Sequence, residues 1–540
     1  MTCEGISRRD LLRRGGLLGG ALAFPELFVG EAAAAPAPPA AAPAGVGLRV
    51  GPDVYQSIGV RPLINARGTY TILSGSTMLP EVRAAMAAAS QHYVHLDELA
   101  EAIGARLATL TGAEWGLVTN GCSAALTHAT AACVAGGNPD LHIRIPNLSG
   151  FAKDEVIIPR HSRNVYDAAL RGVGVRVIEV TTPAELEAAL GPRTALIYIL
   201  AGPSADESAL PTKLVASMAQ PRGVPVLVDA AAEILTVPNV HLQNGATLVG
   251  YSGGKCLRGP QAAGLLLGRK DLVKAAWVHS APHHGYARGY KVGKEEAIGM
   301  LMAVEMWMKR DHEAEWKTWT SWLDSVAKRV SAIPGVTTTI VQPKGLSNRM
   351  PSLRVFWDGK KLGLPGDVAA RTLFEGDPRV GVFAARHESD PALTGVSVNP
   401  YMMGAGDEKI VADKLVALLS NPPHKGEAPP PAAAAADLSG QWDVKVEYAA
   451  GTSNHALNLR QRGNEIDGSH RGDFLSRDLT GTIDGDNVRI RSFFSEQIGD
   501  SIAYTFTGKV TGDEMGGSLD MGEYLGGKWS ARRRTTGRRG

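Results

Sequence analysis

Residues Tyr251–Val273 open on Ser252-Gly253-Gly254-Lys255, continue through Arg258-Gly259-Pro260-Gln261, and end in an apolar run closed by Gly268-Arg269-Lys270. Glycines on the N-terminal side of a lysine let backbone approach a bound group with no Cβ in the way. A lysine in such a turn, ahead of the strand-like Ala262–Leu267, is a candidate for imine chemistry, in which a desolvated, deprotonated amine attacks a carbonyl. A Gly-Gly-Lys turn alone fits an exposed hairpin equally well. Upstream, Asp229 follows the apolar run of Val224-Pro225-Val226-Leu227-Val228. That run reads as a short buried strand, and its C-terminal end is where open α/β sheets place their ligands.

A lysine and an aspartate so placed are the pair that pyridoxal phosphate requires. The lysine forms the Schiff base, and the carboxylate keeps the pyridine nitrogen protonated so that the ring accepts electrons. The Asp-Ala-Ala-Ala-Glu run at Asp229 and the Ser-Gly-Gly-Lys-x-x-Arg-Gly-Pro-Gln run at Lys255 resemble the selenocysteine synthase-like group of pyridoxal-phosphate enzymes. Gly254-Lys255-Cys256-Leu257-Arg258 favours the D-glucosaminate-6-phosphate ammonia-lyase-like branch of that group. The resemblance runs from about Gly59 to about Asp407 and implies an aspartate-aminotransferase-like (fold type I) α/β three-layer sandwich with a smaller α+β lobe.

Other parts of the site must be brought to this pair. Leu117–Thr119 reads as a buried strand running into Asn120-Gly121-Cys122-Ser123 and a helix to about Ala135. A glycine turn at a helix N-terminus offers free N–H groups and a positive dipole end to a phosphate. The resemblance implies that His161, after the strand Val156–Ile158, stacks on the cofactor ring, that Ala231 packs on its other face, and that Ser252 also contacts the cofactor. A satisfied surface histidine is the other reading of His161. The Ile64-Asn65-Ala66-Arg67-Gly68-Thr69 segment resembles the family's opening strand, which in relatives lies near the active site.

His279 to Gly285 and the following Lys291 and Lys294 form a basic loop suited to an anionic substrate. Arg258, His283, His284 and Lys291 are therefore substrate-binding candidates, and a solvated basic loop is the alternative. The histidines are expected in a Pro/Gly loop with no nearby carboxylate, so no metal is read there. Arg349 and Arg386 are both candidates for the substrate carboxylate, and the sequence does not choose between them. Cys122, Cys133 and Cys256 have no metal-ligand spacing and are read as packing residues.

The chain has 540 residues, 44% of them apolar, and a formal charge of +2, which argues against a nucleic-acid partner. Residues 1–35 carry Ser7-Arg8-Arg9-Asp10-Leu11-Leu12, a short apolar stretch and Ala33-Ala34-Ala35, a twin-arginine export pattern that implies a periplasmic or secreted protein without a stable membrane anchor. A Pro/Ala linker (36–47) leads to a cofactor-binding domain (48–293). A long helix from Lys294 to about Ser331 and a small lobe complete the enzyme (294–420). A second Pro/Ala linker (421–436) precedes a module of about eight short alternating strands (437–535), which resembles small lipocalin-like barrels or sandwiches, and a basic tail (536–540).

The expected activity is that of a pyridoxal 5'-phosphate enzyme acting on an amino acid or amino-sugar acid through an external aldimine with Lys255. Elimination with release of ammonia is favoured over transfer of the selenocysteine-synthase or aminotransferase type, and over a catalytically inactive binding protein. The fold implies at least a homodimer.

Overall fold

The structure, a computed structural model, describes residues 47–423, 431–493 and 503–534. The twin-arginine segment, nearly all of the first linker, part of the second and the basic tail lie outside the described residues.

The large domain is built on continuous apolar runs, which bury both faces of a sheet rather than one. Seven strands stand in the spatial order Trp115–Thr119, Gly264–Gly268, Leu248–Ser252, Val226–Asp229, Thr194–Leu200, Glu155–Pro159, Arg176–Val180. All neighbours pair in parallel except Gly264–Gly268, which runs antiparallel to the strand on either side. Six strands therefore point the same way, and their C-terminal ends share one edge. A separate apolar core covers each face. Helix Gly121–Ala135 is buried almost all round, which its run of alanines permits.

The single helix expected from Lys294 to about Ser331 is two, Lys294–Lys309 and His312–Val330. Arg310 is extended at φ −65°, ψ 140°, and Asp311 accepts a hydrogen bond from the Ala314 N–H at 2.9 Å, starting the second helix with its own N-cap. The break has a consequence for the lysine turn, because it lets Arg310 donate to the Cys256 carbonyl at 2.9 Å while pairing with Glu315.

The small lobe holds an antiparallel sheet of Phe383–Arg386, Leu393–Val398, Ser352–Asp358 and Thr337–Val341, packed on helices His312–Val330, Gly366–Glu375 and Asp407–Ser420. Arg379–Gly381 and Phe383–Arg386 follow each other closely but belong to different sheets. The first pairs in parallel with Leu63–Asn65, so the opening strand of the chain docks on this lobe.

The C-terminal strands close into an eight-stranded antiparallel barrel in sequence order, from Gly440–Glu447 to Gly526–Arg533. Alternation places Trp442, Val444 and Val446 inside, with charged residues between them. Part of the second linker belongs to the barrel. Ala432 donates to Asp484 at 2.6 Å, Ala435 to the Gly485 carbonyl at 2.8 Å, and Leu438 is fully buried beneath Trp442.

Candidate active site

Lys255 sits in a turn between antiparallel strands Leu248–Ser252 and Gly264–Gly268. Gly253 donates to Ala263 at 2.7 Å, Arg258 to Lys255 at 2.9 Å, and Gly259 to Gly253 at 2.9 Å, folding the turn tightly onto itself. A Cβ on Gly253 would lie 2.5 Å from Met300 Sδ and 2.7 Å from the Ala263 oxygen, and one on Gly254 would lie 2.7 Å from the Gln261 Cα. Only glycine fits both positions. Among the described residues Lys255 Nζ has no hydrogen-bond or ion-pair partner, so the amine is committed to nothing in the protein.

Asp229, 2% exposed, stands at the end of Val226–Asp229, one strand over. Its Oδ2 accepts from Tyr198 Oη at 2.9 Å and its Oδ1 from the Ala231 N–H at 3.0 Å. Tyr198 is held in turn by Asn164 Nδ2 at 3.0 Å. Burial and then the Asp229 charge push the Tyr198 hydroxyl well up, so it stays a donor. Cys122 lies 3.5 Å from Asp229 Oδ1, and burial, then Asp229, raises its thiol well above its usual range while Lys255 opposes the shift. Cys122 is thus a neutral packing residue between the helix and the aspartate. Burial likewise pushes Cys256 and Cys133 to about 12.

Helix Gly121–Ala135 begins at the C-terminal end of Trp115–Thr119 with no side-chain cap. Asn120, at the N-cap position, instead spends its amide on the Lys291 carbonyl at 3.1 Å. Gly121 turns at φ 72°, Cys122 is buried, and Asn120 and Ser123 are exposed on the open side. The first N–H groups of a fifteen-residue helix are left for an anion.

His161 follows strand Glu155–Pro159 in a short 3₁₀ turn, with Nδ1 3.0 Å from Ser162 Oγ. Ser162 Oγ accepts from the Leu200 N–H at 3.0 Å, tying the turn to the neighbouring strand. His161 Nε2 is buried, and burial lowers the ring's pKa although a backbone hydrogen bond to Leu210 opposes the shift, so the ring stays uncharged. An uncapped helix end, an unpartnered amine, a buried carboxylate and a flat neutral ring thus meet at one edge of the sheet. They match the phosphate, aldehyde, pyridine nitrogen and ring face of pyridoxal phosphate.

Several expected substrate contacts are used otherwise. Arg258, at the strained φ of 54°, donates to Thr77 through Nε at 3.0 Å and Nη2 at 3.2 Å, pinning the lysine turn. His283 does have a nearby carboxylate: its Nε2 is 3.1 Å from Asp97, and its ring meets Trp277 edge-on. His279 ends helix Lys270–His279, buried and stacked on His142 at 3.7 Å, not in the loop. His284 and Lys291 are exposed. Arg349 is exposed near Trp316, its guanidinium 5.9 Å from the ring centroid, and Arg386 is exposed at the end of its strand.

Arg67, which the sequence reading did not single out, lies on the segment that runs over the lysine turn. Arg67 lies in the loop after Leu63–Asn65, its guanidinium 4.4 Å from the Phe383 ring and 5.4 Å from Tyr70, and its Nε is buried with no partner. Asn399 holds the Arg67 carbonyl at 2.9 Å, and Tyr401 joins Thr69 at 2.7 Å to Asn348 at 3.2 Å. Asn348 in turn donates its N–H to Ala232, three residues past Asp229. The same segment then runs over the lysine turn, where a Cβ on Gly75 would lie 2.6 Å from the Gly254 oxygen. The sequence signal was its place inside Ile64-Asn65-Ala66-Arg67-Gly68-Thr69.

The fold and its edge of cofactor-shaped groups define a pyridoxal 5'-phosphate enzyme of fold type I. Residues 153–345 match the aminotransferase class-V family model. The chain is 30% identical over 373 residues to D-glucosaminate-6-phosphate ammonia lyase of Salmonella typhimurium, covering 67% of this chain and 97% of that protein. It is 33% identical over 299 residues to a Streptomyces 5'-C-glycyluridine monooxygenase-decarboxylase, covering 53% of this chain and 73% of that protein. A solved structure of D-glucosaminate-6-phosphate ammonia-lyase superposes with a TM-score of 0.61 at 29% identity, covering 68% of this chain and 98% of that one. The chain belongs to the aminotransferase class-V family, in the group that includes D-glucosaminate-6-phosphate ammonia lyase.

Proposed function

We propose that this chain is an exported, dimeric lyase that releases ammonia from an amino acid or amino-sugar acid bearing a β-hydroxyl. The observation that carries the reading is Lys255 Nζ, unpartnered in a glycine turn beside the buried carboxylate of Asp229. Likeness to an ammonia lyase over nearly that protein's whole length favours elimination over transfer.

Bound pyridoxal phosphate supplies a carbonyl that condenses with amines and a ring that withdraws electrons from the substrate's α-carbon. The helix N-terminus at Gly121–Ser123 would hold the phosphate, and His161 would cover the ring. Asp229, fixed by Tyr198 and Ala231, would hold a proton on the pyridine nitrogen by ion pairing. Arg67 offers its guanidinium to the substrate's acid group, with Tyr70 and Phe383 excluding water on one side. Lys255 Nζ would hold the cofactor and, as a free amine, would take the proton from the substrate's α-carbon. The β-hydroxyl leaves with a proton as water. The resulting enamine takes up water, giving a 2-oxo acid and ammonia with no net oxidation. Export follows from the twin-arginine segment, which suits an enzyme that acquires its cofactor before crossing the membrane folded.

Incubating the cofactor-loaded chain with a panel of 2-amino-3-hydroxy acids, sugar acids included, tests the reading. One ammonia per 2-oxo acid is expected. Amino-group transfer to an added 2-oxo acid, without free ammonia, would replace elimination with transamination.

A further inference from the structure

Four residues beyond Asp229, a second buried carboxylate takes no part in the chemistry above. Glu233 is 3% exposed, and its Oε2 lies 2.6 Å from Nε2 of His241, itself 7% exposed. Burying two polar groups costs free energy that their contact at best recovers, and an apolar pair of similar volume is often as stable or more so. What such a pair can supply is a fixed geometry, and its surroundings say what is fixed.

Both partners are tied to the segment that carries Lys255. On one side, the Cys256 thiol, directly after the lysine, donates to the Glu233 carbonyl at 3.1 Å. On the other, Asn239 caps helix Val240–Gln243, accepting from the His241 N–H at 3.2 Å, and donates from Nδ2 to Tyr251 Oη at 2.7 Å. Tyr251 is 1% exposed and stands in strand Leu248–Ser252, which leads into the lysine turn. Burial pushes its hydroxyl up, the Asn239 amide opposes the shift, and the Glu233 charge adds to it, so the carboxylate is within electrostatic reach of the hydroxyl.

Toward Asp229 the connection is as tight. Ala230 donates to the Gly250 carbonyl at 2.9 Å, and Glu233 donates its N–H to the Ala230 carbonyl at 3.0 Å, closing a turn between the two acids. The contacts form a circuit that leaves Asp229 through Glu233, enters the lysine turn at Tyr251 and returns from it at Cys256. Lys255 Nζ has no partner among the described residues, so the backbone that carries it must set its place.

We propose that Glu233, through His241, is a positioning residue that holds the Lys255 turn in register with Asp229, so that the amine meets the cofactor's carbonyl while the carboxylate meets its ring nitrogen. The proposal rests on Lys255 as the cofactor's anchor and not on the reaction assigned to it.

The test uses the full chain, stripped of cofactor, in three forms. These are wild type; Glu233→Gln, which keeps an acceptor for His241; and Glu233→Met combined with His241→Leu, which removes the pair without orphaning either partner. Pyridoxal phosphate is added, and its covalent linkage to Lys255 is followed by visible absorbance and confirmed by borohydride trapping with peptide mapping. The apolar double variant should unfold at the wild-type temperature or above. It should nonetheless link the cofactor about ten- to a hundredfold more slowly, the cost of a small misplacement of reacting groups. Glu233→Gln should stay close to wild type. Linkage at the wild-type rate in the double variant would overturn the proposal. So would a slower rate matched by a loss of folded protein, which would make the pair structural. A wild type that is never labelled at Lys255 would overturn the anchor itself, and this proposal with it.

Discussion

The enzyme site and the barrel interior both bury polar side chains, and they satisfy them in opposite ways. In the barrel, His455, His470, Ser492 and Ser453, drawn from three of its strands, hydrogen-bond to one another. At the sheet edge, Lys255 and the N-terminus of Gly121–Ala135 come from distant parts of the chain and, among the described residues, keep their donors unspent. Around them the supporting groups are fully engaged: Tyr198 and Ala231 on Asp229, Arg310 on Cys256, Arg258 on Thr77. A site is legible where a well-braced surrounding holds a few groups unpartnered.

The contrast can be broken by substitution. Asp229→Asn keeps the hydrogen bond from Tyr198 while removing the charge, so kcat should fall roughly 10²-fold, the size of losing a placed electrostatic contact, with little change in stability. Steady-state kinetics beside thermal unfolding would check this; a large stability loss would mean that Asp229 serves the fold first. Arg67→Gln should act mainly on substrate affinity, raising KM about tenfold with a smaller change in kcat, as expected for a charge-assisted hydrogen bond. An unchanged KM would remove Arg67 from the substrate's acid group.

A third outcome concerns histidines buried in both regions. Burial lowers His470 to about 3, and His128 and His279 to about 4, against an ordinary value near 6.5. Their depressed folded values mean that the unfolded chain takes up protons first. The stability they contribute is complete above about pH 6.5 and is lost as pH falls toward 4, at up to about 1.4 kcal/mol per pH unit for each histidine. Urea midpoints measured between pH 7 and pH 4.5 should drop accordingly. A flat profile would contradict neutral burial of these rings.

Much of the enzyme was readable before the fold. The glycines around Lys255 and the acid at a strand end carry their own physical reasons, and continuous apolar runs marked the sheet strands while alternating ones marked the barrel strands. What was not readable depended on contacts between distant segments. Arg67 reaches the site through the pairing of Leu63–Asn65 with Arg379–Gly381, which no local pattern announces. His283, in the loop after helix Lys270–His279, meets Asp97 on helix Leu96–Thr111 from a distant part of the sequence. The helix break at Arg310-Asp311 was hidden by an apolar stripe continuing on both sides, although an aspartate followed by acidic residues is itself an N-cap signal. Arg477 lay in an alternating strand whose inward positions otherwise read Leu479 and Ile483, so its orientation was written in the pattern.

The account rests on Lys255 as the cofactor's anchor. The direct measurement is the visible spectrum of the purified chain supplied with pyridoxal phosphate, followed by borohydride reduction and peptide mapping. A yellow protein whose reduced label maps to Lys255, with no label in Lys255→Ala, is the expected result. A protein that stays colourless, or a Lys255→Ala variant that still carries the reduced cofactor, would contradict it.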